Sequence, residues 1–350
     1  MKPMDTSSAL DPITGAESGP AGPARVRRID AAWLGGAAVA AALAALPLAV
    51  DSPSHLNLAI LVLLSAQLGV AWNILGGFAG QVSLGHAAFF GIGAYTSTML
   101  LLGFGLNPWL GMLAGGVVAA AASLVVGWPC FRLKGHYFTM ATIAVAEIIQ
   151  TLVTNWEPAG AAVGLTIPMD KPGWATLVFA GKTPYYYLAL ALLAFSLGVN
   201  VWIAKSRLGY YFRAIKDEPD AARSLGVSLT RYKLAALAVS SFLAALGGSL
   251  YAQKELYIDP ASVLHTGLSI KMALVAILGG AGTLLGPVVG AATLTVIEEG
   301  SRTLFGGTGR GTDLIVYATI IIVIAVVKPG GLIGWAKETA GRMRRRRDAR

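Results

Sequence analysis

The sequence predicts an all-α polytopic membrane protein with about eight full spans plus one broken or re-entrant helix pair, or 8–10 membrane segments in all. Three observations predict it. Only 13% of the 350 residues are charged and 55% are hydrophobic, with a mean hydropathy of +0.65, whereas a soluble domain carries roughly 25% charge. Many apolar runs approach the roughly 20 residues that a bilayer crossing needs. The chain also holds 43 glycines, a residue commoner in membrane helices than in soluble ones. The short alternating segments of a membrane barrel are missing.

Taken in order, residues 1–30 read as a disordered cytoplasmic tail, because the first 24 are rich in Pro, Gly, Ser and Ala without an apolar period. The apolar, membrane-spanning region runs over 31–330. Its first run, Ala31 to Val50, follows Arg25, Arg27 and Arg28 and is read as a retained helix rather than a signal peptide, being long and closely followed by a second span. Further spans are predicted at Leu56–Leu75, Val82–Leu106, Trp109–Trp128, Tyr137–Val153, Tyr185–Ala204, Leu234–Tyr251 and Asp313–Val327. Residues 331–350 form a basic cytoplasmic tail containing Arg344, Arg345, Arg346 and Arg347.

Charge sets the topology. The N-terminal tail, the Arg132/Lys134 loop, the 205–233 insert and the C-terminal tail with the preceding Lys328 hold 21 of the 27 Lys and Arg. Placing all four in the cytosol satisfies the positive-inside rule, and the six crossings before the insert return the chain to its starting side. The longest segment on the other face, Asn155 to Pro184, carries only Lys171 and Lys182 as cations. The same arithmetic forbids a single crossing over Leu268–Ile297, since that would leave the Arg-rich tail outside. Two short helices joined at Gly279-Gly280-Ala281-Gly282 bring it home. Irregular backbone at membrane depth must be shielded by protein or line a cavity. A second Gly-rich stretch runs from Gly76 to His86. Interrupted segments in both halves point to an internal repeat with a pathway between them.

The polar insert Lys205–Lys233 holds seven Lys or Arg and three acids, so it lies in water, and a long loop of this kind is a docking element. Within it, Pro219 opens a short helix, Asp220 suits the positive end of the helix dipole, Ala221 and Ala222 make a slim face, and Gly226 ends the helix. The bland alternative is a solvated surface helix. Asp220-Ala221-Ala222-Arg223-Ser224-Leu225-Gly226 resembles the cytoplasmic coupling motif of ABC-importer permeases, with Asp220 in the place usually held by Glu.

Four blocks extend that likeness. Ser83-Leu84-Gly85-His86-Ala87-Ala88-Phe89-Phe90-Gly91-Ile92-Gly93-Ala94-Tyr95, then Lys134 to Thr142, Arg213 to Glu218, and Leu278 to Pro287 resemble the signatures of the branched-chain amino-acid ABC transporter permeases, LivM type, of the LivH/LivM family. The order and spacing match from about Leu56 to Gly334; the segment Ala159–Leu165 matches the family's Gly-rich turn only in part. The resemblance implies a multi-pass permease subunit of the bacterial cell inner membrane, with N- and C-termini cytoplasmic. Its implied partners are a LivH-like sister permease subunit, two cytoplasmic ATP-binding subunits and a periplasmic substrate-binding protein. The cargo would be a branched-chain or related amino acid, moved by alternating access. Urea, short amides or another small solute are alternatives on the same plan. An ion-coupled secondary transporter is another, with Glu147 as its proton or cation site, and an intramembrane enzyme is a more distant one.

On this reading Glu218, Asp220, Ala221, Ala222 and Gly226 contact the ATPase, and Ser83, His86, Tyr95, Glu147, Gly279 and Gly280 belong to the translocation path. Several of these have bland alternatives. An acid at the bilayer centre costs about 2.5–3.5 kcal/mol on insertion scales, so Glu147 faces the interior as a path contact or as an interhelical hydrogen bond. His86 is a path residue or a satisfied packing histidine, His136 is interfacial, and Lys271 snorkels to the outer surface, with a pore role as the alternative. The chain is not itself an enzyme. Gly181-Lys182-Thr183 ends like a phosphate-binding loop, but Thr176 stands where the required earlier glycine belongs. The four histidines lack ligand spacing, and the single cysteine, Cys130, excludes an internal disulfide. No cofactor, metal or nucleic acid is expected, and the partners besides proteins are the solute and membrane lipid.

Overall fold

The computed structural model describes residues 43–48, 52–169, 173–305, 318–319 and 331–334. The expected tail over 1–30, most of the span from Ala31 to Val50, most of the span from Asp313 to Val327 and the Arg-rich end lie outside the described residues. The long helices are α1 (Pro53–Asn73), α2 (His86–Phe104), α3 (Pro108–Cys130), α4 (His136–Thr154) and α5 (Thr183–Lys205). The insert forms α6 (Arg207–Asp217) and α7 (Pro219–Ser224), followed by α8 (Leu229–Glu255), the single turn α9 (Pro260–Val263), α10 (Thr266–Gly280) and α11 (Gly286–Phe305). Among the described residues seven stretches are long and apolar enough to cross a membrane. Six match expected full spans; the seventh, Pro260–Gly280, is the first arm of the expected broken pair and is itself long enough to cross.

The ends of the helices follow local chemistry. Pro53, Pro108 and Pro219 sit in first turns, where a missing N–H costs nothing. The side chain of Asn107 accepts from the Trp109 amide at 3.0 Å to cap α3. Gly105 stops α2 at φ +61°. The span expected from Val82 starts later, at His86, because residues 79–85 are not helical.

α1 and α8 form the centre of the bundle: 72% and 67% of their membrane windows are buried, against 17% for α4. α2 and α8 touch backbone to backbone. A Cβ on Gly93 would fall 2.1 Å from the Ala245 carbonyl, and one on Gly248 would fall 2.0 Å from that of Phe90. In lipid, where apolar burial gives helices no net drive to associate, such close approach maximises dispersion contact. Ser249 Oγ ties the crossing by donating to Gly93 O at 2.9 Å.

At one end of the bundle a two-stranded antiparallel ribbon, β1 (Leu165–Thr166) with β2 (Tyr257–Ile258), pairs Leu165 with Ile258 and Thr166 with Tyr257. The insert, the 79–85 segment and the 281–285 turn gather at the other end. α1 runs toward that end through a π-helical turn at Ile74–Phe78. The chain breaks between α10 and α11 where the glycines predict it, with Gly280 at φ +123° and Gly282 at φ +82°, values open to glycine and strained for other residues.

Candidate functional site: the insert, two helix breaks and an exposed acid

The insert is fixed to the bundle by one face. Gly209 packs against the Ile203 carbonyl, which lets α5 turn sharply into α6. Phe212 and Ile215, three residues apart, are buried under α6, and Tyr211 stacks on Tyr232 with ring centroids 4.4 Å apart. Glu218 is extended, Pro219 opens α7, and Gly226 ends it at φ +86°. Of the five residues expected to meet an ATPase, Glu218, Asp220, Ala221 and Gly226 are exposed. Ala222 is only 3% exposed and faces inward. The sequence reading passed over Leu225, which is 86% exposed. A leucine in an otherwise polar loop was its signal.

The two glycine-rich breaks, some two hundred residues apart in sequence, meet under α6. Asn73 Nδ2 donates to Thr283 O at 2.9 Å, and Gly282 N donates to Asn73 Oδ1 at 2.8 Å. Thr283 Oγ1 donates to Gly280 O at 2.8 Å and accepts from Gly286 N at 3.0 Å, so one hydroxyl closes α10 and opens α11. Gly279 packs against Gly286: a Cβ there would lie 1.7 Å from the Gly286 carbonyl. Gly280 is overlaid by Gly331. Lys216 Nζ, from the last turn of α6, donates to Gly77 O at 2.8 Å. A cation at the end of α1 suits the negative end of that helix dipole.

Ser83 and His86 form a second polar knot. Ser240 Oγ gives its proton to Ala71 O at 2.6 Å, so it accepts from His86 Nε2–H at 2.8 Å. That leaves Nδ1 bare, to accept from Ser83 Oγ at 3.1 Å. Trp72 Nε1 donates to Ser83 O at 2.7 Å, and Ala87 N donates to Ser269 Oγ at 2.7 Å. From α4, Thr142 Oγ1 accepts from Leu84 N at 3.1 Å and Thr139 Oγ1 donates to Val82 O at 2.8 Å. The non-helical segment thus finds protein partners for polar groups that lipid would leave unpaired. Both ring nitrogens of the fully buried His86 are used, an arrangement that fits the packing alternative.

Tyr95 and Glu147 sit elsewhere. Tyr95 is buried, its hydroxyl without a hydrogen-bond partner among the described residues, on the wall of an apolar cavity of about 740 Å³ shared with Gly91, Met99, Trp156 and Leu264. Glu147 is exposed and accepts a hydrogen bond from Thr266 Oγ1 at the start of α10. It belongs to an uncovered stripe of α4 with Tyr137, Met140, Ala144 and Thr151, spaced as one helix face. The interhelical hydrogen bond is present, but the expected interior placement is not: Glu147 lies on the open side of α4, because, among the described residues, only Thr266 reaches it there. Lys271 differs from its expectation: it pairs with Glu298 at 2.5 Å, with both side chains about one-third exposed (29% and 34%). An acid one helix away from a lysine stem gives the ammonium a nearer partner than the membrane surface. The six expected path residues are thus spread over three places: the break junction, the Ser83–His86 knot and the cavity–α4 region.

Comparison with known proteins identifies the family. The chain matches the family described as branched-chain amino acid transport system / permease component over residues 54–324. It is 28% identical over 306 residues to the high-affinity branched-chain amino acid transport system permease protein LivM of Salmonella typhimurium strain LT2, covering 81% of this chain and 70% of that protein. LivM of Escherichia coli K12 matches at the same identity over 306 residues, with 81% and 70% coverage. The permease protein LivH of Escherichia coli K12 is 24% identical over 291 residues, covering 77% of this chain and 91% of LivH. No solved structure matches.

Proposed function

Because the chain belongs to the branched-chain amino acid transport system permease component family, we propose that it is one of two membrane-spanning subunits of an ATP-driven importer in the bacterial inner membrane. Its cargo is a branched-chain or related amino acid, the solute class named for the family and for its LivM and LivH relatives. A sister permease stands beside it, two ATP-binding subunits lie against the cytosolic insert, and a binding protein delivers solute from the periplasm. Both termini are cytosolic, the side to which the positive-inside rule assigns the cation-rich segments.

The observation that carries this reading is the insert itself. It is rooted in the bundle by Phe212, Ile215 and Ala222, while Glu218, Asp220, Ala221 and Leu225 stay uncovered. That is the form of a handle presented to another protein. The α4 stripe supports the second permease. An exposed carboxylate within a membrane helix is costly in lipid, so the Glu147 face borders either a protein neighbour or a hydrated path, and a path between two permeases supplies both. Tyr95 and its cavity lie beside this face through Leu264 and Thr266.

Sidedness provides the direct test. In a Cys130→Ala background, Leu225→Cys leaves one thiol at the tip of the insert. In cells that make this chain without the ATPase subunits, a membrane-impermeant maleimide is expected to label it in inside-out vesicles and to leave it unlabelled in intact spheroplasts. Labelling from the periplasmic side would remove the insert from any ATPase and end the proposal.

A further inference from the structure

We propose that Lys216 is a positioning residue that carries motion of the insert to both helix breaks at once. The inference rests on the importer reading and adds the internal linkage by which the handle reaches the spans. Lys216 lies two residues before Glu218, where the chain leaves α6 for the segment offered to the ATPase. Its ammonium donates to the Gly77 carbonyl at 2.8 Å. Its stem lies across the 79–85 segment: a Cβ on Gly80 would fall 2.8 Å from Lys216 Cγ and 3.3 Å from its Cα. The same ammonium would lie 3.2 Å from a Cβ on Gly282, and Gly282 itself packs on Gly77, whose own Cβ would fall 2.5 Å from Gly282 N. Asn73 then locks the two breaks together through Gly282 and Thr283.

Three elements therefore converge on one side chain: the π-helical turn through Gly77, the 79–85 segment through Gly80 and the 281–285 turn through Gly282. Among the described residues Lys216 has no carboxylate partner, so its charge is directed at a carbonyl at the end of α1. α6 is held by the buried Phe212 and Ile215, so a shift of its last turn passes to Gly77 through the Lys216 hydrogen bond. It passes on to α10 and α11 through Asn73. The broken backbone at both sites is where such a shift is absorbed most cheaply, because few helical hydrogen bonds resist it. Neither break moves alone, which is what alternating access needs from a two-state element.

Lys216→Met keeps the stem and removes the donors; Lys216→Arg keeps a cation. The first readout is hydrogen exchange on the purified chain. Lys216→Met should speed exchange about tenfold at Gly77–Gly80 and also at Gly282–Gly286, the factor expected when one charge-assisted hydrogen bond is lost. The second is ATP hydrolysed per solute imported by the reconstituted importer. Lys216→Met should raise that ratio about tenfold with hydrolysis retained, and Lys216→Arg should restore most of it. A purely structural role would lower hydrolysis and uptake together and leave the ratio alone. Unchanged exchange at 282–286, or an unchanged ratio, overturns the proposal. If the wild-type importer shows no ATP-driven uptake, the importer reading fails, and the exchange result alone then decides whether Lys216 links the two breaks.

Discussion

Leu225→Asp is expected to detach the ATPase subunits and to reduce solute uptake by two orders of magnitude or more while the chain remains folded in the membrane. Leu225 is 86% exposed, so little among the described residues packs on its side chain. Burying a leucine in a partner's groove contributes about 1.5–3 kcal/mol, and an unpaired carboxylate in the same groove adds a desolvation penalty of several kcal/mol. Loss of about 3–5 kcal/mol corresponds to a binding constant weakened by roughly two to three and a half orders of magnitude. Leu225→Ala should lose only the burial, weakening binding roughly tenfold or somewhat more. Co-purification of the ATPase with tagged variants measures both. Asp at 225 with full ATPase retention would place the contact elsewhere on the insert.

Gly279→Val should prevent the fold itself. A Cβ at 279 lands 1.7 Å from the Gly286 carbonyl and 2.9 Å from Gly290 N, all backbone atoms that no rotamer change can move aside. α10 and α11 would have to separate, taking with them the Asn73 and Thr283 hydrogen bonds that satisfy the break. The cost exceeds the roughly 1–3 kcal/mol typical of overpacking, because buried polar backbone is exposed to lipid as well. Gly300 and Gly198 provide the control, since a Cβ on either meets nothing within 4 Å. Alanine there should leave yield and thermal stability near the wild type, whereas Gly279→Val should give no folded protein in detergent. Equal yields for the three variants would mean that the Gly279–Gly286 approach is not required.

Six of the spans, the insert and the second break were legible because each leaves a one-dimensional trace. Hydrocarbon requires about 20 apolar residues per crossing, cations collect on one side, and Gly279-Gly280-Ala281-Gly282 cannot continue a helix without cost. The junction was not legible. That Asn73 reaches Gly282 and that Lys216 reaches Gly77 depends on how α1, α6 and α10 pack, and no local periodicity encodes a contact across two hundred residues. Ala221 and Ala222 looked equivalent in sequence, yet only the fold turns Ala222 inward and leaves Leu225 in water. His86 was open in sequence to a path or a packing role, and that Ser83 and Ser240 occupy both of its nitrogens depends on packing across α8. Lys271 looked solitary until α11 brought Glu298 to it.

The most direct measurement is uptake of a radiolabelled branched-chain amino acid into liposomes holding this chain, its sister permease and the two ATPases, with loaded binding protein present on the periplasmic-facing side. A membrane handle driven from the cytosol predicts accumulation that requires hydrolysable ATP and persists when an uncoupler abolishes ion gradients. Accumulation that proceeds without ATP and collapses on adding the uncoupler would contradict it.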